Sequence, residues 1–188
     1  MDQAEIIARL REGDQAAYSM VVEQWQQMVY NVAIGIVQNK EDAEDVTQDV
    51  FVSLYEKIGD FREEAALSTW LYRITVRKAL DFEKSRKREK RGGFLQRIFS
   101  MKESDEPANF NHPGILLDNK EKAAVLFAAL KKLPDNQRIA FTLHKLEGLG
   151  NQQIAVIMET TLYAVESLQS RAKANLKKIL KDYYEQHL

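Results

Sequence analysis

The chain has 188 residues, 45% of them hydrophobic and 29% charged, with a net charge of −1 and no cysteine. That length holds one medium domain or two small ones. The charge balance argues against a bulk polyanion binder, and the missing thiols exclude disulfides and thiolate metal sites, so a reducing cytoplasm is the expected home.

With three prolines and eight glycines, and apolar residues recurring at helical spacing, the chain predicts an all-α protein without strands. Asp14 is placed to cap a long helix with the core stripe Tyr18, Val21, Trp25, Met28, Val32 and Ile36, and Asn39 to close it. The apolar stretch from Met28 to Val37 is too short to span a bilayer, and the first five residues lack the basic start and apolar run of a signal peptide, so no membrane insertion is expected.

The next helix runs from about 41 to 58. At about 100° per residue, Ala43, Val46, Val50, Phe51, Leu54 and Ile58 form its core face. Asp45, Gln48, Asp49, Val52 and Glu56 form the opposite one, free for another task or simply solvated. Residues 61–67 read as a loop, with Ser68 as a cap for a helix reaching Arg88. Along it Arg73, Arg77, Lys84 and Arg88 line up, with Trp70 near the head of the row.

Periodicity then fails. Residues 90–114 contain a glycine pair, two prolines and scattered polar groups, which predicts a linker, with Phe94, Leu95, Ile98 and Phe99 as an apolar exception inside it. A helical pattern resumes near Leu117 and stops at Leu133. Pro134 starts a helix over 135–145, Gly150 or Asn151 caps a short one, and Thr161 caps the last. The expected organisation is a first module over 1–89, a flexible basic linker over 90–116 and a second module over 117–188.

Charge is segregated along this plan. Residues 39–64 carry nine acids against three bases, and residues 84–102 eight bases against one acid. Such alternation fits separate surfaces for unlike partners. Residues 148–180 have the layout of a helix-turn-helix, in which a second helix lies in the DNA major groove. Ala155 is the small residue at the close approach; Ile154, Val165, Leu168, Ala172 and Leu176 seal the contact. Ser167, Ser170, Arg171, Lys173, Lys177 and Lys178 gather on the outer face. The plain alternative is a helical hairpin with a basic, solvated end.

Four motifs in order resemble the extracytoplasmic-function group of bacterial sigma factors: Asp45-Val46-Thr47-Gln48-Asp49-Val50-Phe51, Ser68-Thr69-Trp70-Leu71-Tyr72-Arg73-Ile74, Leu133-Pro134-Asp135-Asn136-Gln137-Arg138, and Gln153-Ile154-Ala155 with Ala164-Val165-Glu166-Ser167. The resemblance implies two helical modules that join core RNA polymerase to promoter DNA. Asp45, Gln48, Asp49, Val52 and Glu56 would then dock on a polymerase coiled coil, helped by the 134–145 region. The 61–68 loop and following helix would recognise and melt the −10 element.

Opening a duplex costs about 1.4 kcal/mol per stacked step, recovered by holding unpaired bases in pockets and phosphates on cations. Arg62, Arg73, Arg77, Lys78 and Lys84 would supply the cations. Trp70 and Tyr72 offer stacking surfaces, although core packing is the better expectation for Trp70. Thr161, Glu166, Ser167, Ser170, Arg171, Lys173 and Lys177 would meet the −35 element, Arg171 through a guanine edge or a phosphate. Three residues depart from the family pattern. Glu159 stands at the usual turn glycine, Glu166 at an often basic position and Gln169 at an often apolar one. The resemblance also implies an anti-sigma partner, often membrane-tethered.

No Gly-rich phosphate loop occurs, His112, His144 and His187 lack metal-ligand spacing, and no serine or threonine has a nucleophile's setting. Glu63 and Glu64 read as solvated surface. No cofactor, metal or catalytic residue is therefore expected, and the chain is not expected to be an enzyme. Two rival readings are a stand-alone helix-turn-helix repressor or response-regulator output domain, and a small helical enzyme or adaptor. The first leaves the Asp45 ridge and the Ser68 helix without a task; the second lacks a catalytic cluster.

Overall fold

Asp14 opens the long second helix by accepting hydrogen bonds from the Ala16 and Ala17 amides, at 2.8 and 3.2 Å. The computed structural model describes residues 2–92 and 120–187, and these contain eight α-helices and no strand. They are α1 (Gln3–Arg11), α2 (Gln15–Val37), α3 (Lys40–Lys57), α4 (Leu67–Gly92), α5 (Lys120–Lys131), α6 (Asp135–Phe141), α7 (Asn151–Ile157) and α8 (Leu162–His187). A 3₁₀ turn follows α3 at Ile58–Asp60, and a π-helical turn follows α6 at Thr142–Leu146. The linker sequence at 93–119, with its four apolar residues and the onset of the Leu117 helix, lies outside the described residues.

Helices α2, α3 and α4 pack around Val21, Val29, Val32, Ile36, Val50, Leu54, Leu71 and Ala79, all buried. The apolar stripes predicted for α2 and α3 are the ones that turn inward, with Tyr18, Trp25 and Met28 partly covered at the edge. Several boundaries differ from the sequence pattern. Helix α1 was not expected; Ile6, Ile7 and Leu10 bury themselves against the same core. Gln38, in the left-handed region at φ 56°, closes α2. Asn39 instead starts α3, its side chain accepting from the Asp42 amide at 3.0 Å. A short polar side chain suits either end of a helix, and extended backbone at Asn39 favours the N-terminal role. Ser68 lies inside the first turn of α4 rather than capping it, because the Trp70 amide already bonds to the Ala66 carbonyl. That helix runs on to Gly92, so 90–92 belong to it and not to a linker.

The second module has its own small core of Phe127, Leu130, Leu133, Ala172 and Leu176 between α5, α6 and α8. Its other face is not solvated. Ile139, Leu143, Ile154, Ile157 and Val165 join the apolar core of the first module. The closest approach is at Gly35 of α2, where an added Cβ would stand 2.5 Å from Thr142 Cγ2. Glycine fits there because the Thr142 and Leu146 side chains of the π-helical turn press on the α2 backbone.

Candidate nucleic-acid and partner surfaces

On α3 the residues that the core leaves over are Asp45, Gln48, Asp49, Val52 and Glu56, and all five are exposed. The same face holds two features of different chemistry. Val52 and Tyr55 are large apolar groups, 52% and 59% exposed, beside the acids. Tyr55 is held edge-on by Tyr18 of α2, with ring centroids 5.8 Å apart. The wheel picked out Val52 and missed Tyr55, which lies three residues further along the helix.

The loop between α3 and α4 is shaped by α1. Arg11 donates to the Phe61 carbonyl and pairs with Glu63 at 2.9 Å, while Gln3 accepts from the Leu67 amide at 3.1 Å. Glu63 takes a left-handed φ of 58°, a conformation that few non-glycine residues adopt. The loop walls a cavity of about 160 Å³ lined by Asp60, Phe61, Arg62, Glu64, Trp70 and Arg73. Phe61 and Trp70 stack at 5.0 Å with planes tilted by 34°. Trp70 thus packs on the core, as the better expectation had it, and also lines the cavity.

Helix α4 turns Leu71, Thr75, Val76 and Ala79 inward. Arg86 fixes its far end through Asp42 of α3 at 3.0 Å and through the buried Glu83 at 3.1 Å. The predicted cation row does not face open solvent throughout. Arg73 donates to the Val156 carbonyl at the end of α7 at 3.1 Å, and Arg77 pairs with Glu159. Tyr72 donates to Glu147 at 3.2 Å, and Lys87 reaches Asp135 at 3.4 Å. Lys78 stands 3.9 Å from Asp49, and exposed Lys84 pairs with Asp81. Burial between the modules raises the Glu147 carboxyl above the ordinary carboxylate range, against hydrogen bonds from Tyr72 and Asn31 that lower it. Burial beside Glu147 likewise raises the Tyr72 phenol.

In the second module α7 and α8 make the helix-turn-helix. Ile154 and Val165 are buried where the helices meet, with Ala155 as the small residue beside them. Gln169, at its often apolar position, donates to Asn151 at 2.9 Å and so ties the helices by a polar bond. Glu159 adopts the left-handed φ of 53° that explains why glycine suits this turn. Thr161 caps α8 by accepting from the Ala164 amide at 3.1 Å. Glu166, Ser170, Arg171, Lys173 and Lys177 are exposed and Ser167 half-buried on the outer side, with Arg171 donating to Ser167 at 2.7 Å. A wider groove of about 520 Å³ beside them is lined by Phe141, His144, Lys145, Glu166, Gln169 and Lys173. Among the described residues no group of carboxylates and histidines is arranged to hold a metal, and no helix is long and apolar enough to cross a membrane.

Two family models match the chain: sigma-70 region 2 over residues 21–89 and sigma-70 region 4 over residues 123–176. The ECF RNA polymerase sigma-E factor of Escherichia coli K12 is 30% identical over 176 residues, covering 89% of this chain and 88% of that protein. The chain belongs to the ECF sigma factors of RNA polymerase. The RNA polymerase sigma-H factor of Pseudomonas aeruginosa is 28% identical over 184 residues, covering 94% of this chain and 92% of that one. Among solved structures, the sigma factor RpoE in complex with the anti-sigma factor NepR from Bartonella quintana shares the fold. Its TM-score is 0.64 at 23% identity, covering 87% of this chain and 96% of that one. In this sigma factor region 2 corresponds to α2–α4 and region 4 to α5–α8, so the acidic ridge, the loop cavity and the cation row fall in region 2.

Proposed function

We propose that this sigma factor docks on core RNA polymerase through Asp45, Gln48, Asp49, Val52 and Glu56, with Tyr55 adding apolar contact. The segment over residues 134–145 adds a second polymerase contact. Arg62, Trp70, Tyr72, Arg73, Arg77, Lys78 and Lys84 then engage the −10 element, the loop cavity holding one unpaired base and the cations its phosphates. Thr161, Glu166, Ser167, Ser170, Arg171, Lys173 and Lys177 meet the −35 element from the major groove, Thr161 chiefly by capping the helix that carries the others. The two modules act on the two elements, with the linker sequence that follows α4 between them. The polymerase performs the chemistry, and this chain is a cytoplasmic initiation factor rather than an enzyme.

The observation that carries this reading is the charge left over once each core is packed. An exposed acidic face on α3 suits a basic partner, while the exposed bases of α8 suit phosphate. The cavity supports the base-capture step because it is smaller than the usual ligand pocket of about 300–1,000 Å³ and sets two aromatic residues and two arginines beside Asp60 and Glu64. Because Arg73, Arg77 and Tyr72 are engaged by region 4, the modules separate before the −10 element is held. An anti-sigma factor is the expected regulator, as the Bartonella quintana relative was solved with one.

Run-off transcription with and without core polymerase tests the reading. Initiation that requires both this chain and the core enzyme is the expected result. Tight duplex binding without polymerase, and no stimulated initiation, would replace it with a stand-alone repressor.

A further inference from the structure

Tyr163 is 81% exposed, more than any other large apolar or aromatic side chain among the described residues. Leaving an aromatic ring in water forgoes the gain of burying it, which draws attention to where this ring points. Tyr163 lies in the first turn of α8, directly after the Thr161 cap and exposed Leu162. At about 100° per residue it lies about 160° from the core residue Val165 and within about 40° of Ser167 and Ser170. It therefore stands on the outer face of α8, where its neighbours Ser167, Ser170 and Ala174 are all small. Glu166 is one turn away on the edge of the same face.

We infer that Tyr163 is a specificity-determining residue for the −35 element and selects a thymine there. The inference rests on the proposed −35 role of α8. Early residues of a recognition helix reach base edges, and the C5-methyl of thymine is the apolar group in the major groove. A phenol ring placed over that methyl gains apolar contact, while its hydroxyl stays free for water or a neighbouring phosphate. Ser167 and Ser170 are short, so the Tyr163 ring reaches further from that face than its neighbours do. The neighbouring Glu166 carboxylate is an acceptor only and suits a cytosine amino group, so the two side chains together favour adjacent pyrimidines on one strand. The cations Lys173 and Lys177 hold the backbone, a contact that carries no sequence information of its own, while Arg171 meets a guanine edge or a phosphate.

The test uses holoenzyme, this chain with core polymerase, on promoters randomised across the −35 element. The wild-type protein is expected to fix one thymine. Replacing that thymine by deoxyuridine, which lacks only the methyl, should lower initiation by roughly fourfold. Tyr163→Ala should lose both the preference and the deoxyuridine effect; Tyr163→Phe should keep both. Selection of the same thymine by Tyr163→Ala overturns the inference and leaves the −35 role of α8 standing. So does a loss of activity that is equal on every template, which would mark a contact to polymerase. Absence of any −35 selection by the wild-type chain overturns the inference together with the reading beneath it.

Discussion

Helices α4 and α8 are each 26 residues long and each sets basic residues along its outer side, yet they meet solvent differently. On α4, Tyr72, Arg73 and Arg77 are held by Glu147, Val156 and Glu159 of the second module. On α8, Tyr163, Glu166, Ser170 and Arg171 remain exposed. The back of the helix-turn-helix covers part of α4 while its front leaves α8 open. Local sequence makes both helices basic on one side; the long-range packing of the second module on α2 and α4, closest at Gly35 and Thr142, decides which of them is covered.

The strongest way to break this asymmetry is Gly35→Ala. Its new Cβ overlaps Thr142 Cγ2, and overpacking of this kind costs about 1–3 kcal/mol. We predict a larger radius in solution scattering with unchanged helix content by circular dichroism, because alanine itself favours α2 by up to about 1 kcal/mol. Adding Thr142→Ser, which removes that methyl, should restore much of the compaction; an unchanged radius in Gly35→Ala would show that the seam is not what holds the modules together. Reversing charge with Asp45→Lys and Asp49→Lys sharpens the contrast from outside the seam. Capture on immobilised core polymerase should fall by at least about tenfold, as for loss of close interfacial charge pairs, while compactness stays the same. Equal capture would remove the ridge from the polymerase interface.

A smaller effect is expected from pH. Glu147 is raised by burial in the closed arrangement, so its contribution to closure is complete below the ordinary glutamate range and is lost as pH rises through the raised value. Scattering should therefore show the chain most compact under acidic conditions and looser towards neutrality. Glu147→Gln should flatten that dependence, and a slope that survives the substitution would assign it to another group. The least effect belongs to Arg77→Ala. Its pair with Glu159 is two-thirds exposed on the arginine side, and pairs of that kind contribute about 0–1 kcal/mol. Thermal unfolding should move little, whereas binding to single-stranded −10 DNA in the holoenzyme should weaken.

What the sequence makes legible follows from how local each signal is. The α3 wheel separates Asp45, Gln48 and Asp49 from Val46, Val50 and Leu54 because both faces belong to one helix, and the burial follows that division. The Asp14 and Thr161 caps are readable because their partners stand two or three residues away. Helix α1 escapes notice because nine residues with three core positions give little periodicity to detect. The seam escapes entirely: Gly35 and Thr142 are 107 positions apart, and neither residue differs from an ordinary helical glycine or threonine until the fold joins them. Tyr163 shares a helix face with Ser167 and Ser170, but its exposure is not legible in the pattern, because an aromatic ring at helical spacing reads equally well as core.

Helix α1 precedes the stretch that matches sigma-70 region 2, which begins at residue 21, yet it donates Ile6, Ile7 and Leu10 to the core and staples both ends of the 61–66 segment. The piece that matches the family model and the piece that folds are therefore not the same length. A fragment cut to the homologous boundaries would expose an apolar groove and free the walls of the loop cavity, so excised versions of the first module need their opening dozen residues to behave as they do in the whole protein.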